Sequence, residues 1–102
     1  MKITENIYWM ITGKVKDGEL ENMKKAIEAM VVATRTEDGA NSYDFWLSED
    51  VTTLYVHERY KDSEVTLEHM KNVGNLLPAF LACVEMELIT IIGNCSSELK
   101  QA

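Results

Sequence analysis

NSYDFWLSEDVTTLYVHERY, residues 41–60, is the stretch on which the fold turns. Two runs rich in aromatic and β-branched residues, about Asn41 to Leu47 and Thr52 to Tyr60, flank the short acidic turn Ser48-Glu49-Asp50. Such residues suit a pleated, half-buried surface, and the short turn between them predicts a β-hairpin. Side chains alternate across a strand, so Val56, Glu58 and Tyr60 share one face and Tyr55, His57 and Arg59 the other. Only one set can look into the space between a sheet and its helices, and the set with Glu58 and Tyr60 is assigned to it.

Working outward, DSEVTLEHMKN after the hairpin reads as a helix begun at Asp62 or Ser63. Gly74 and Asn75 close it and open a shorter helix with Pro78 in its first turn. His69 borders the apolar stripe of Leu67, Met70 and Leu77, four residues after Val65, within reach of the inward space. Before the hairpin, Leu20, Met23, Ile27, Met30, Val31 and Thr34 recur at helical spacing behind Asp17 as expected cap, with Glu19 and Glu21 in the first turn and Gly39 in the exit loop. Strands are expected at both ends, about Asn6 to Val15 and Met86 to Ile92, each apolar on both faces, and Ser96 can cap a final stub. The order is β-α-β-β-α-α-β. It predicts an α+β chain of ferredoxin-like, split βαβ topology: a four-stranded antiparallel sheet with helices on one face. Helices cannot cover the second face, so a two-fold copy of the chain is expected there, with Tyr8, Met10, Tyr55 and His57 at the contact.

With 102 residues, 46% of them hydrophobic, and no repeat or linker, residues 1–102 are read as a single domain that gains from a partner subunit. Seventeen acidic against 10 basic residues give a net charge of −7, which disfavours a phosphate backbone as partner, so no nucleic acid is expected. No apolar run reaches the ~20 residues of a membrane span. Glu5, Asn6 and Lys14 break the start where a signal-peptide core would lie, which predicts no membrane association and a cytoplasmic location. Cys83 and Cys95 lack the spacing of a zinc site or disulfide framework and are read as reduced thiols. Dinucleotide, phosphate-loop, zinc-protease and nucleophile-elbow motifs are absent from the sequence. That leaves cofactor-free chemistry or plain binding, with no metal expected. Cys83 lies in the apolar LACVEM, which disfavours a thiolate nucleophile.

The segment YVHERYKDSEVTLEHMKN resembles the antibiotic biosynthesis monooxygenase family of dimeric α/β barrels in its acidic Glu58, basic Arg59, aromatic Tyr60, helix-starting Asp62 and helix histidine His69. NSYDFWLSED is similar to the family's second strand, and IIGNCSSELKQA resembles the tails of quinol-monooxygenase-like members. The chain departs from the common pattern in having Tyr60 where members often carry tryptophan, and in the long helical stretch MKNVGNLLPAFLACV after His69. The resemblance implies a homodimer that oxidises a quinol-like or polycyclic aromatic with dioxygen, without metal or flavin. It casts His69 as proton acceptor, Glu58 and Tyr60 as its catalytic companions, and Trp9, Phe45 and Phe80 as candidate substrate contacts. The plainer readings make His69 a surface histidine, pair Glu58 with Arg59, Lys61 or a helix lysine, and keep the aromatics as core or interface. Two other functions compete: haem binding or degradation, as in other members of the superfamily, and non-catalytic binding of a small ligand by a dimer.

Overall fold

The computed structural model describes residues 3–102. Strand β1 (Ile7–Val15) is followed by helix α1 (Leu20–Thr34), the hairpin β2 (Ala40–Leu47) and β3 (Thr53–Tyr60), helices α2 (Ser63–Val73) and α3 (Leu77–Leu81), strand β4 (Val84–Ile92) and the terminal turn of helix α4 (Ser97–Gln101). The four strands form one sheet in the order β2-β3-β1-β4, every neighbouring pair antiparallel. This is the split βαβ arrangement expected, with β1 inserted between the hairpin and the last strand. No helix among the described residues is long and apolar enough to cross a membrane.

Three of the expected helix boundaries hold. Asp62 accepts the Val65 amide at 2.9 Å, Ser96 accepts that of Leu99 at 3.1 Å, and Gly74 ends α2 ahead of Pro78 in the first turn of α3. The start of α1 differs. Asp17 makes no cap; Gly18 takes φ +76° and the Glu19 amide donates to the Lys16 carbonyl at 3.1 Å, so Asp17-Gly18 is a turn and the helix begins at Leu20.

Pairing aligns side chains in rows across the sheet. Tyr43, Glu58, Trp9 and Ile91 occupy successive strands in one row on the helix side, and Phe45, Val56, Ile11 and Ile89 occupy the next. The core is closed there by Met23, Ala26 and Met30 of α1, Val73 of α2 and Phe80 of α3 against Ile11, Leu54 and Val56. The helices cover the start of β4 at Val84 but stop short of its outer half, whose Ile89 and Ile91 are about half exposed although they face the helix side. On the opposite face no helix lies among the described residues. Met10, Trp46, Tyr55, Leu88 and Ile92 stand exposed there, with Tyr8 Oη 2.8 Å from His57 Nδ1 and Arg59 lying over the Tyr8 ring.

The loop from α1 to β2 is drawn tightly against α2. A Cβ on Gly39 would stand 2.7 Å from both Val65 methyl groups, and the Gly39 carbonyl accepts the Lys61 amide at 2.9 Å. This close approach sets where the loop residues 35–38 meet α2. Gly39→Ala is therefore expected to lower stability by about 1–3 kcal/mol through overpacking, and adding Val65→Ala should recover part of the loss; urea unfolding of the three variants reads the non-additivity.

Candidate active site

Glu58 and Tyr60 lie on the helix side of β3, 8% and 0% exposed, as period-two alternation predicts. Tyr60 Oη donates to Glu58 Oε1. His69 comes down from α2 onto this pair. Its Nε2 is 3.5 Å from Glu58 Oε1, and its ring lies over Tyr60 with centroids 4.7 Å apart and presents an edge to Tyr43 at 5.0 Å.

Three expectations about these residues change. His69 is 4% exposed and neither a surface nor a boundary histidine. The buried face of α2 is Thr66, His69 and Val73, not the stripe of Leu67, Met70 and Leu77. Glu58 is held by Tyr60 and His69, not by Arg59, Lys61 or a helix lysine. One member of the group had no sequence signal: Glu37, from the loop after α1, sets its Oε2 and Oε1 at 3.0 and 3.1 Å from His69 Nδ1. Asn72 Nδ2 donates to Glu37 Oε2 at 2.8 Å and to the Ala33 carbonyl at 3.0 Å, tying the carboxylate to both helices.

The electrostatics follow from this enclosure. Ionised carboxylates only accept hydrogen bonds, so an imidazole with one on each nitrogen is satisfied when both nitrogens carry protons. Burial, the largest influence, pulls the proton affinity of His69 down. The hydrogen bonds and charges of Glu58 and Glu37 together outweigh it, and the His69 pKa lies above the ordinary 6.5. Burial beside the same carboxylates pushes the phenols of Tyr60 and Tyr43 well above the usual tyrosine range, which keeps both neutral. Cys83, by contrast, is a buried thiol whose Sγ points at the Ala79 carbonyl and the Glu19 carboxylate; burial and Glu19 push its pKa up, away from nucleophilic use.

The candidate aromatics do not gather around one space. Trp9 neighbours Glu58 across the β1–β3 ladder and is half-buried; its Nε1 is buried without an acceptor among the described residues. Phe45 stands on the other side, towards the β2 edge, packed edge-on to Tyr43 and lining a groove with Ile27, Val31 and Leu47. Phe80, 4% exposed, belongs to the core between α3 and the sheet. Among the described residues no group of three or more His, Cys, Asp and Glu side chains is arranged to hold a metal ion.

The sequence model of the family described as antibiotic biosynthesis monooxygenase matches residues 6–86. Rv0793 of Mycobacterium tuberculosis, provisionally named a monooxygenase, is 38% identical over 47 residues; the match spans 46% of this chain and 46% of that protein, under half the length of the relative. Over a wider span, the solved structure of Rv0793 superposes with a TM-score of 0.75 at 21% identity, covering 90% of this chain and 97% of that one. MupZ from Pseudomonas fluorescens gives a TM-score of 0.80 at 19% identity, covering 96% of this chain and 78% of that one. SnoaB, a cofactor-independent oxygenase from Streptomyces nogalater, gives 0.76 at 9% identity over 92% and 97% of the two chains. At these identities the structural likeness concerns the fold.

His69→Ala would leave two largely buried carboxylates facing each other across a cavity. It is expected to cost about 3 kcal/mol or more. The pH dependence has a defined sign: a histidine whose native pKa is raised contributes stability that is complete below about pH 6.5 and is lost as pH rises through the native value. Urea unfolding of the wild type between pH 6 and 9 should show this decline, and His69→Gln should lack it; parallel pH curves for the two proteins would assign the titration elsewhere.

Proposed function

The chain belongs to the antibiotic biosynthesis monooxygenase family, and from that premise we propose that it oxidises a quinol-like or polycyclic aromatic substrate with dioxygen, without metal or flavin. The observation that carries the reading is the buried Tyr60–Glu58–His69–Glu37 chain beside the half-exposed apolar ledge of Ile89 and Ile91, with Trp9 between them. A flat aromatic laid on that ledge meets the half-buried Trp9 indole, which offers it an apolar contact. Its acidic hydroxyl is then directed towards Glu58. Loss of that proton to the Glu58–His69 pair makes an electron-rich anion able to reduce dioxygen. One oxygen atom enters the ring product and the other leaves as water, with all four electrons drawn from the substrate and the protons returned to the departing oxygen. The protein's tasks are to orient the aromatic, hold and return the proton, and keep bulk water out.

The haem reading gains less from the same geometry. Both His69 nitrogens face carboxylates inside the fold, so axial ligation would have to break one contact and expose the ring.

We also propose a homodimer joined through the helix-free face of the sheet. Isolated apolar side chains on a surface need no explanation, but Met10, Trp46, Tyr55, Leu88 and Ile92 form one continuous face, and a two-fold copy would cover it with its own equivalent. Tyr55→Asp, which places a charge in that contact, is expected to shift the protein towards monomer in light scattering at micromolar concentration; an unchanged dimer would place Tyr55 outside the interface.

Activity is tested by oxygen uptake with 1,4-naphthoquinol in the presence of a chelator, corrected for uncatalysed oxidation. Wild-type turnover should rise with pH through a limb lying above 6.5, because the carboxylates hold the proton on His69 more firmly than water does. Folded His69→Gln should lose about 100-fold in turnover and lack that limb. Full activity in this variant would remove His69 from the chemistry.

A further inference from the structure

We propose that Glu37 is the positioning residue of this site: it locks the His69 ring so that Nε2 faces Glu58, and it is the group through which the buried imidazole communicates with solvent. The inference rests on the proposed oxidation for its catalytic meaning, but the geometry that supports it is independent of substrate.

The groups packed about His69 come from four directions. Glu58 and Tyr60 approach from β3, Tyr43 from β2, Glu37 from the loop after α1, and Asn72 lies one turn along α2 itself. Tyr60 and Tyr43 fix the plane of the ring but bond neither nitrogen, so they leave open a half-turn that would exchange nitrogen for carbon. Glu37 closes that choice. Its two oxygens lie within 3.1 Å of Nδ1, whereas the Glu58 contact at Nε2 is longer, 3.5 Å. Charge-assisted hydrogen bonds are strongest at about 2.7–2.9 Å, so the firmer hold is on the side away from Glu58, and the Nε2 proton is left with the looser partner. That asymmetry suits a ring whose Nε2 proton exchanges with the Glu58 side while Nδ1 stays fixed.

Glu37 is itself built in. Asn72 ties one of its oxygens to the end of α1, its amide donates to the Thr34 carbonyl at 2.9 Å, and the close approach of Gly39 to Val65 holds the loop against α2. Its outer side lines a surface groove of about 490 Å³ with Lys61, Glu68 and Asn72. His69 does not line that groove. A proton entering or leaving the buried pair from this side therefore passes Glu37.

Two readouts separate positioning from mere support of the fold. In the first, ¹⁵N NMR of the imidazole follows the His69 titration and tautomer in wild type, Glu37→Gln and Asn72→Ala, needing no substrate. Glu37→Gln should move the midpoint down towards 6.5 and release the fixed Nδ1–H form, with Asn72→Ala intermediate. In the second, oxygen uptake with 1,4-naphthoquinol should show turnover lowered about 10-fold or more with KM within about threefold, and an acid limb displaced downwards in pH. Glu37→Asp, which keeps the charge, should restore part of the rate. Unchanged titration and tautomer in Glu37→Gln would overturn the proposal, as would a shifted titration with full turnover. If Glu37→Gln loses its dispersed amide spectrum, Asn72→Ala decides, and an unshifted His69 there overturns the proposal equally. A wild type that consumes no oxygen with quinols would refute the oxidation while leaving the NMR result to stand or fall alone.

Discussion

Two carboxylates share one imidazole in a space nearly closed to water, and much of the local architecture serves that arrangement. Glu37, Glu58 and His69 would each be costly to bury alone, because removing a charge from water is repaid only by close, well-directed partners. The partners come from elements far apart in sequence: a loop at residue 37, a strand at 58 and a helix at 69. Their meeting depends on the rest of the fold. The ladder between β1 and β3 sets Glu58 on the helix side, the Asp62 cap fixes where α2 begins and therefore which of its faces carries His69, and the Gly39–Val65 approach brings the loop to meet it. A buried ion group of this kind contributes less to net stability than its Coulomb energy suggests. Its value lies in a defined charge held at a defined place.

That view explains what was legible in the sequence. Alternation along Val56, Glu58 and Tyr60 reports a strand face directly, because the period of two is a property of the backbone, and the inward choice for Glu58 and Tyr60 agrees with the structure. The hairpin, the break at Gly74, the two-faced end strands and the Asp62 and Ser96 caps were readable for the same reason: each rests on local geometry. The register of α2 was not. Periodicity assumes that what is buried is apolar, and this helix buries Thr66 and His69, so the apparent stripe fell one position aside. Asp17 misled differently: Asp followed by Gly satisfies a turn as well as it satisfies a cap, and here the turn prevails.

Glu37 lay outside any such reading. It is 32 residues from His69, in a loop, and of a residue type that is almost never buried without a partner. Nothing local announces the partner; only the closed sheet and the packed loop create it. The aromatic residues show the converse failure. Trp9, Phe45 and Phe80 were grouped by chemical type, whereas strand order separates them: Trp9 lies beside β4, Phe45 lies at the β2 edge, and Phe80 fills the core.

The same strand order suggests why the site has its shape. Strand β4 is the edge whose outer half the helices leave uncovered, and the row running Tyr43, Glu58, Trp9, Ile91 passes from a partly buried phenol through a buried carboxylate and a half-buried indole to a half-exposed aliphatic side chain. From β3 to β4, polarity and enclosure therefore fall together along that line. Charge sits at Glu58, where the row is most enclosed and a low effective dielectric makes each contact count for more, and apolar surface sits at the open β4 end, where a flat ligand can shed water against it. A binding surface and a proton-holding group thus come from the same four strands, with the helices deciding only where the covered part ends.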